Sequence, residues 1–265
     1  MLIVNKVRKP QSTFFLIVDY LWGGFATLAI VCFFLSLWQW ASLSLGEFLL
    51  PSPITVFYRA IELLKNSQQN QITLSLWRAL LGVGGSLLLG LSFGFIAGHF
   101  RTVFVILKPL ITTLLSTPPI IWVVMALFWF GFGNSSVLFT IVIIVTPLTF
   151  SSTVVAVQQL NKQTLEVFDV YQLGFLKKIK YFYIPHFTRY VISSVSVAVA
   201  TGVRVVVMAE LLGASDGIGA RIADARAMLD TETVMAYVVL VISLVAIFEY
   251  CITKPIEILF MPWKQ

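Results

Sequence analysis

Between Pro109 and Asn161 the chain carries no charged side chain at all. No water-soluble domain tolerates such a run, and it exceeds the ~20 residues that carry one helix across a bilayer core. It therefore predicts two spanning helices, 110–130 and 137–157, joined by the turn GFGNSS (131–136). Pro118, Pro119 and Pro147 are expected to break or kink them, which lipid-embedded helices tolerate where the freed backbone faces protein or a wet path.

The rest of the chain repeats the pattern. Charge is absent from Tyr20 to Gly46, which predicts a first span at 20–43, with Trp22, Trp38 and Trp40 near its ends where interfacial indoles sit. A second span is expected at 74–100, a fifth at 191–208 and a sixth at 234–252. The prolines Pro51 and Pro53 open a surface-lying amphipathic helix with an apolar stripe of Ile54, Tyr58, Ile61 and Leu64. With 58% hydrophobic and only 11% charged residues, the chain reads as an all-α membrane protein of six spans forming one domain over 1–265. Its net charge of +6 is spread beside the spans and not gathered in one patch, so nucleic acid is not an expected partner, whereas membrane lipid is.

The basic residues also orient it. Lys6, Arg8, Lys9, Arg101, Lys108, Lys162, Lys177, Lys178, Lys180, Arg189, Lys254 and Lys264 fall on one side of the six spans. The other side holds Arg59, Lys65, Arg221 and Arg226. That asymmetry places both termini and the segment 160–190 in the cytoplasm. Cys32 and Cys251 read as packing residues, since neither spacing nor neighbours suggest a disulfide or a metal site.

Catalytic equipment is not expected. His99 and His186 stand in separate loops, no nucleophile–base set can be assembled, and the Gly-rich second span has no GK[ST] ending for a nucleotide. Within the spans, Gly82, Ser86, Gly90, Gly94 and Gly98 recur at four-residue steps and predict close packing of another helix. Thr112 and Ser116 either line a translocation path, with Trp122 and Met125 beyond them, or bond back to their own helix. Arg78 is expected to snorkel to the outer interface. Arg204, with Glu210 beyond it, either faces a polar path that attracts anions or pairs with an acid of the outer loop. No acid is expected in the middle of a span, which argues against a proton relay.

One stretch departs from all this. Leu160 to Tyr190 is suddenly polar, yet keeps Leu165, Phe168, Phe175, Ile179 and Phe182 at near-helical spacing, interrupted by Gln172. A short helix with one apolar face, held at the membrane surface, is a docking element for a partner protein.

In this arrangement the chain resembles the permease subunit of an ATP-binding-cassette importer. The family's cytoplasmic loop has a Glu, two small residues, a Gly six residues after the Glu and a Pro thirteen residues further. Glu166 and Pro185 match, while Val167, Phe168 and Gln172 depart, and Gly174 is expected to supply the turn. LLPSPITVF (49–57), SLWRALLG (75–82), STPPIIWVVMALFWFGFGNSS (116–136) and AELLGASDGIGARIADARAMLDTETVMAY (209–237) resemble the nitrate/sulfonate/taurine branch, which includes relatives handling thiamine-precursor pyrimidines. The resemblance implies two permease copies, expected to be identical, two cytoplasmic ATPase subunits that hold ATP and Mg²⁺, and an extracytoplasmic solute-binding protein. It implies no cofactor on this chain. Glu166 and Asp169 would lie in the coupling loop, with Glu166 meeting the ATPase or simply carrying charge at a helix N-terminus capped by Thr164. Phe168, Phe175 and Ile179 would supply the buried anchor. The expected cargo is a small anion such as nitrate or sulfonate, or a pyrimidine-type vitamin precursor, moved across the inner membrane. An ATP-independent carrier or channel, or a membrane scaffold that moves nothing, is the alternative.

Overall fold

The computed structural model describes residues 3–4, 7–8, 13–66, 71–160, 162–172, 174–248 and 250. Apart from a two-residue antiparallel ladder, Ile3–Val4 with Val7–Arg8, the described elements are helical. They are α1 (Thr13–Leu45), α2 (Pro53–Lys65), α3 (Ile72–His99), α4 (Arg101–Ser116), α5 (Pro119–Phe130) and α6 (Asn134–Gln158), followed by α7 (Lys162–Val170) and α8 (Phe175–Lys178). A π-helical turn (Ile179–Tyr183) leads into α9 (Ile184–Gly213), α10 (Ile218–Ala227) and α11 (Thr231–Phe248). Among the described residues five helices are long and apolar enough to cross a membrane, or six if the bent pair α4–α5 counts as one span.

The bundle is built around α3 and α6. Gly82, Ser86, Gly90 and Gly94 are buried on one face of α3, and a Cβ added at Gly82 would meet Ile141 at 2.7 Å, at Gly94 Thr153 at 2.7 Å, and at Gly98 Val157 at 2.5 Å. Helix backbones approach that closely only where side chains are absent, and in lipid such packing contacts are the main source of association. Thr149 Oγ1 adds a hydrogen bond to the Ser86 carbonyl at 3.2 Å. Helix α9 lies along the same pair, with Val203, Val206 and Ala209 packed against Ala79, Val83 and Ile141.

Two substitutions on α3 separate packing from helix propensity. At Gly90 an added Cβ would fall within the Thr149 side chain and 3.0 Å from the Phe150 backbone nitrogen, so Gly90→Ala must push the helices apart. A loss of about 1–3 kcal/mol is expected from such overpacking, seen as a lower unfolding temperature in detergent. At Gly84, where nothing lies within 4 Å, Ala should be neutral or stabilise by up to about 1 kcal/mol.

Several expected boundaries shift. The third span is not one helix: α4 begins at Arg101 and α5 leaves it at 99°. The cause is Pro118 and Pro119, which supply no N–H and force the residues before them out of the helical region, Thr117 to ψ 127° and Pro118 to ψ 133°. Pro147, by contrast, stays buried inside a continuous α6. The fifth span is longer at both ends than 191–208, because His186 and Glu210 find partners inside the protein and need not reach water. Residues 251–265, including Cys251 and the expected end of the sixth span, lie outside the described residues.

Helix α2 also differs from its reading. Ser52 caps it by accepting from the Thr55 N–H at 3.3 Å, and Pro53 sits in its first turn. The expected stripe Ile54, Tyr58, Ile61 and Leu64 is exposed, whereas Val56, Ala60 and Leu63 are buried against Ile218, Ile222, Ala236 and Leu240. The helix thus has two apolar faces, one on α10 and α11 and one left for lipid. Helix α1 packs on α2, where Trp38 Nε1–H donates to the Pro51 carbonyl at 3.1 Å. Cys32 in α1 is exposed, not packed against the rest of the chain.

Candidate functional site

Among the described residues, the most heavily built polar cluster joins the start of α3, the start of α6 and the end of α9. Arg78 is not at an interface: it is 2% exposed, and Glu210 is fully buried. Arg78 Nη1–H donates to Glu210 Oε1 at 2.8 Å and to the Asp216 carbonyl at 2.7 Å, while its Nε–H reaches Asn134 Oδ1 at 2.7 Å. Its Nη2 pairs with the Asp216 carboxylate. The Glu210 carboxylate accepts further from the Ser75 hydroxyl at 2.7 Å and the Gly219 N–H at 3.1 Å, and Ser75 Oγ accepts the Ile218 N–H at 2.9 Å. The loop wraps tightly enough that a Cβ at Gly219 would meet Leu211 N at 2.6 Å, and Gly217, at φ +103°, holds a conformation that side chains rarely adopt. Such saturation is what makes a buried charge pair tolerable in an apolar bundle.

This is a correction of two expectations. Arg78 does not snorkel, and Glu210 is a buried acid on a spanning helix whose partner is Arg78 and not Arg204. Arg204 is exposed and has no ion pair among the described residues. Just outside the spans, Asp230 receives the Thr233 N–H at 3.0 Å, and Arg59 Nε–H donates to Thr233 Oγ1 at 3.1 Å, tying α2 to the start of α11. Burial alone would raise the Asp230 pKa, but the Thr233 hydrogen bonds and the Arg59 charge outweigh it and hold it below its ordinary 3.8.

The bend between α4 and α5 leaves an open groove of about 690 Å³ lined by Lys108, Thr112, Thr113, Ser116, Thr117 and Ile121, with Pro109 and Pro118. The hydroxyls bond back to their own helix. Thr112 and Ser116 are exposed in the groove, yet each donates to the carbonyl four residues back, at 2.8 Å. Trp122 and Met125 are half-buried on α5 and do not line this groove, nor does Arg204. Of the residues expected on the path, Thr112 and Ser116 share this groove, and Trp122, Met125 and Arg204 lie apart from it.

The polar stretch after α6 folds as α7, a turn, α8 and the π-helical turn. Gln172 occupies the left-handed region at φ 49°, which explains why the family pattern has Gly at that position. Gly174 does not replace it; its carbonyl accepts the Lys177 N–H at 2.9 Å and so opens α8. Phe168 turns inward, its ring 5.8 Å from Phe182, and Ile179 is half-buried. Neither is the free anchor that helical spacing suggests. Among the described residues of this stretch, Val170 and Leu176, each 80% exposed, Tyr171 and Tyr181 are left outward, with Glu166 also exposed. The side chains of Asp169 and Phe175 lie outside the described part. Spacing missed the outward set because the chain leaves the helix after Val170 and turns at Gln172, so one helical period does not run from Leu165 to Ile179. Pro185 begins α9, where its missing N–H costs nothing.

Comparison with known proteins agrees with this architecture. Residues 87–253, from mid-α3 past the loop to the last helix, match the family described as "Binding-protein-dependent transport system inner membrane component". The chain is 25% identical over 249 residues, 91% of its length and 98% of the other's, to a formylaminopyrimidine transport permease protein of Halalkalibacterium halodurans. It is 30% identical over 209 residues to a nitrate import permease protein of Synechococcus elongatus, covering 74% of this chain and 75% of that one. With a taurine transport system permease protein of Escherichia coli the figures are 23% over 189 residues, 71% and 68%. The chain belongs to the inner-membrane components of binding-protein-dependent transport systems, the permease subunits of ABC importers, in the nitrate/sulfonate/taurine branch.

Proposed function

We propose that this permease forms, as two identical copies, the translocation path of an importer driven by two separate ATPase subunits. An extracytoplasmic binding protein delivers the solute to the outer face near α2, α10 and α11. The loop α7–α8, cytoplasmic by the charge asymmetry along with both termini, takes the movement of the ATPase. The observation that carries this reading is the exposed apolar set Val170, Tyr171 and Leu176 on a polar loop beside Lys177 and Lys178. Exposed aromatic and aliphatic side chains of this kind are the usual anchors of a protein interface.

The cargo is a small solute, either an oxyanion such as nitrate or a sulfonate, or a pyrimidine vitamin precursor. The Lys108 ammonium at the α4–α5 groove favours an oxyanion. The test is uptake of nitrate, taurine and formylaminopyrimidine by cells with and without the chain. An oxyanion should lose uptake on deletion, and Lys108→Met should reduce it by about tenfold or more, the size of one charge-assisted contact. Deletion that affects none of the three solutes contradicts the cargo assignment.

A further inference from the structure

A run of aromatic rings joins the loop to the inner ends of the α3–α6 pair. Phe168 of α7 packs on Phe182, which is 8% exposed inside the π-helical turn. Phe182 stacks on His186 at 6.4 Å and 22°. The His186 ring closes the run with a hydrogen bond: Nε2 lies 2.8 Å from the Ala156 carbonyl, which can only accept, so the imidazole donates. Ala156 lies in the last turn of α6, where carbonyls lose their helical partners. The Val155 carbonyl takes the Gln159 N–H at 3.0 Å and the Val157 carbonyl the Leu160 N–H at 3.4 Å, while Ala156 is served by a side chain from the next span. Tyr190 adds a bond from its hydroxyl to the Gln159 side chain.

A second branch reaches α3. Tyr183, also in the π turn, lies parallel to Phe187 at 6.3 Å and 9°, and Phe187 meets Phe95 at 5.8 Å. Both branches start from the five residues that depart from α-helical hydrogen bonding, a feature rare in helices and concentrated at functional sites. Both end on helices locked together by the close-packed Gly row, so that displacing either end displaces the pair as one body.

We propose that His186 is a positioning residue for ATP-driven transport. With Phe182, it passes the displacement of the docked α7–α8 segment to the α3–α6 pair, and so changes access to the α4–α5 groove. This rests on the function proposed above. Without the His186 bond the loop still docks, but its direct link to α6 is lost and its movement reaches the pair only through Tyr183, Phe187 and Phe95.

The test uses the permease with its ATPase partner in membranes, with Cys32→Ser and Cys251→Ser and a single reporter, Thr112→Cys. Alkylation by a membrane-impermeant maleimide is followed with and without ATP, Mg²⁺ and vanadate. In the His186 protein the nucleotide should change the rate by about tenfold or more, as a shift between two dominant states requires. His186→Ala should remove most of that change while leaving the bound ATPase and its basal hydrolysis intact. His186→Gln, whose amide N–H can still donate to Ala156, should restore most of it, which a merely packing role for the ring would not. Phe182→Leu keeps the buried volume and should reduce the change as His186→Ala does, and it carries the test should His186→Ala fail to accumulate. A full nucleotide response in His186→Ala, or in Phe182→Leu, overturns the proposal. Absence of any ATPase on the unaltered chain overturns the proposed function itself, and this inference with it.

Discussion

Replacing Arg78 with Ala should cost about 3–5 kcal/mol, the range for breaking a buried ion pair from one side. The loss arises because Glu210, fully buried, retains its Ser75 and Gly219 bonds but loses the guanidinium that pairs with it. Glu210→Ala should do comparable harm from the opposite side, leaving the Arg78 guanidinium buried beside an unfilled space. Together the two changes should cost clearly less than the sum of the single ones, since the uncompensated charge disappears. Thermal unfolding of the four proteins in detergent closes the cycle. The loop before α10 should fail first, because Asp216, Ile218 and Gly219 are held by Arg78, Ser75 and Glu210 of this cluster.

The second large effect is expected on the other side of the membrane. Tyr171→Asp and Leu176→Asp each place a charge where a protein surface is to be buried, and each should weaken binding of the ATPase by about 30-fold or more, the ~2 kcal/mol of a hot-spot residue. In combination they should abolish co-purification. Both residues are exposed and touch little of the permease, so the variants should accumulate in the membrane at ordinary levels. Phe168→Ala should behave differently. Its ring packs on Phe182, so the variant should lower the stability of the loop before it affects docking.

The contrast between these sites marks what can be read from residues in order. The proline pair at 118–119 declared the bend between α4 and α5, because the missing N–H groups are a local fact. The four-residue rhythm of small residues from Gly82 to Gly98 likewise foretold a close helix contact on α3. The Arg78–Glu210 pair was not legible, since it joins residues 132 positions apart. A signal did exist: an acid near a span end followed by Gly217 and Gly219, the kind of segment that folds back over a carboxylate. Arg78 seemed free to snorkel only because nothing in its own helix says that α10 and its preceding loop will cover it. The inward turn of Phe168 was hidden for a related reason. Spacing assigns an apolar face, but a π turn between that face and its partner decides which rings meet. At Gln172 the opposite happened: the departure from the family's Gly marked a residue of the turn that takes a left-handed conformation.

The central claim is that this permease has no motor of its own and receives work through α7 and α8. The most direct measurement is purification of the chain from its own membranes in mild detergent, followed by transport in vesicles. The account predicts an ATPase subunit in equal amount with the permease, its loss in the Tyr171→Asp, Leu176→Asp protein, and uptake that stops without ATP. A permease that purifies without an ATPase and still moves solute across vesicles in the absence of ATP would contradict it.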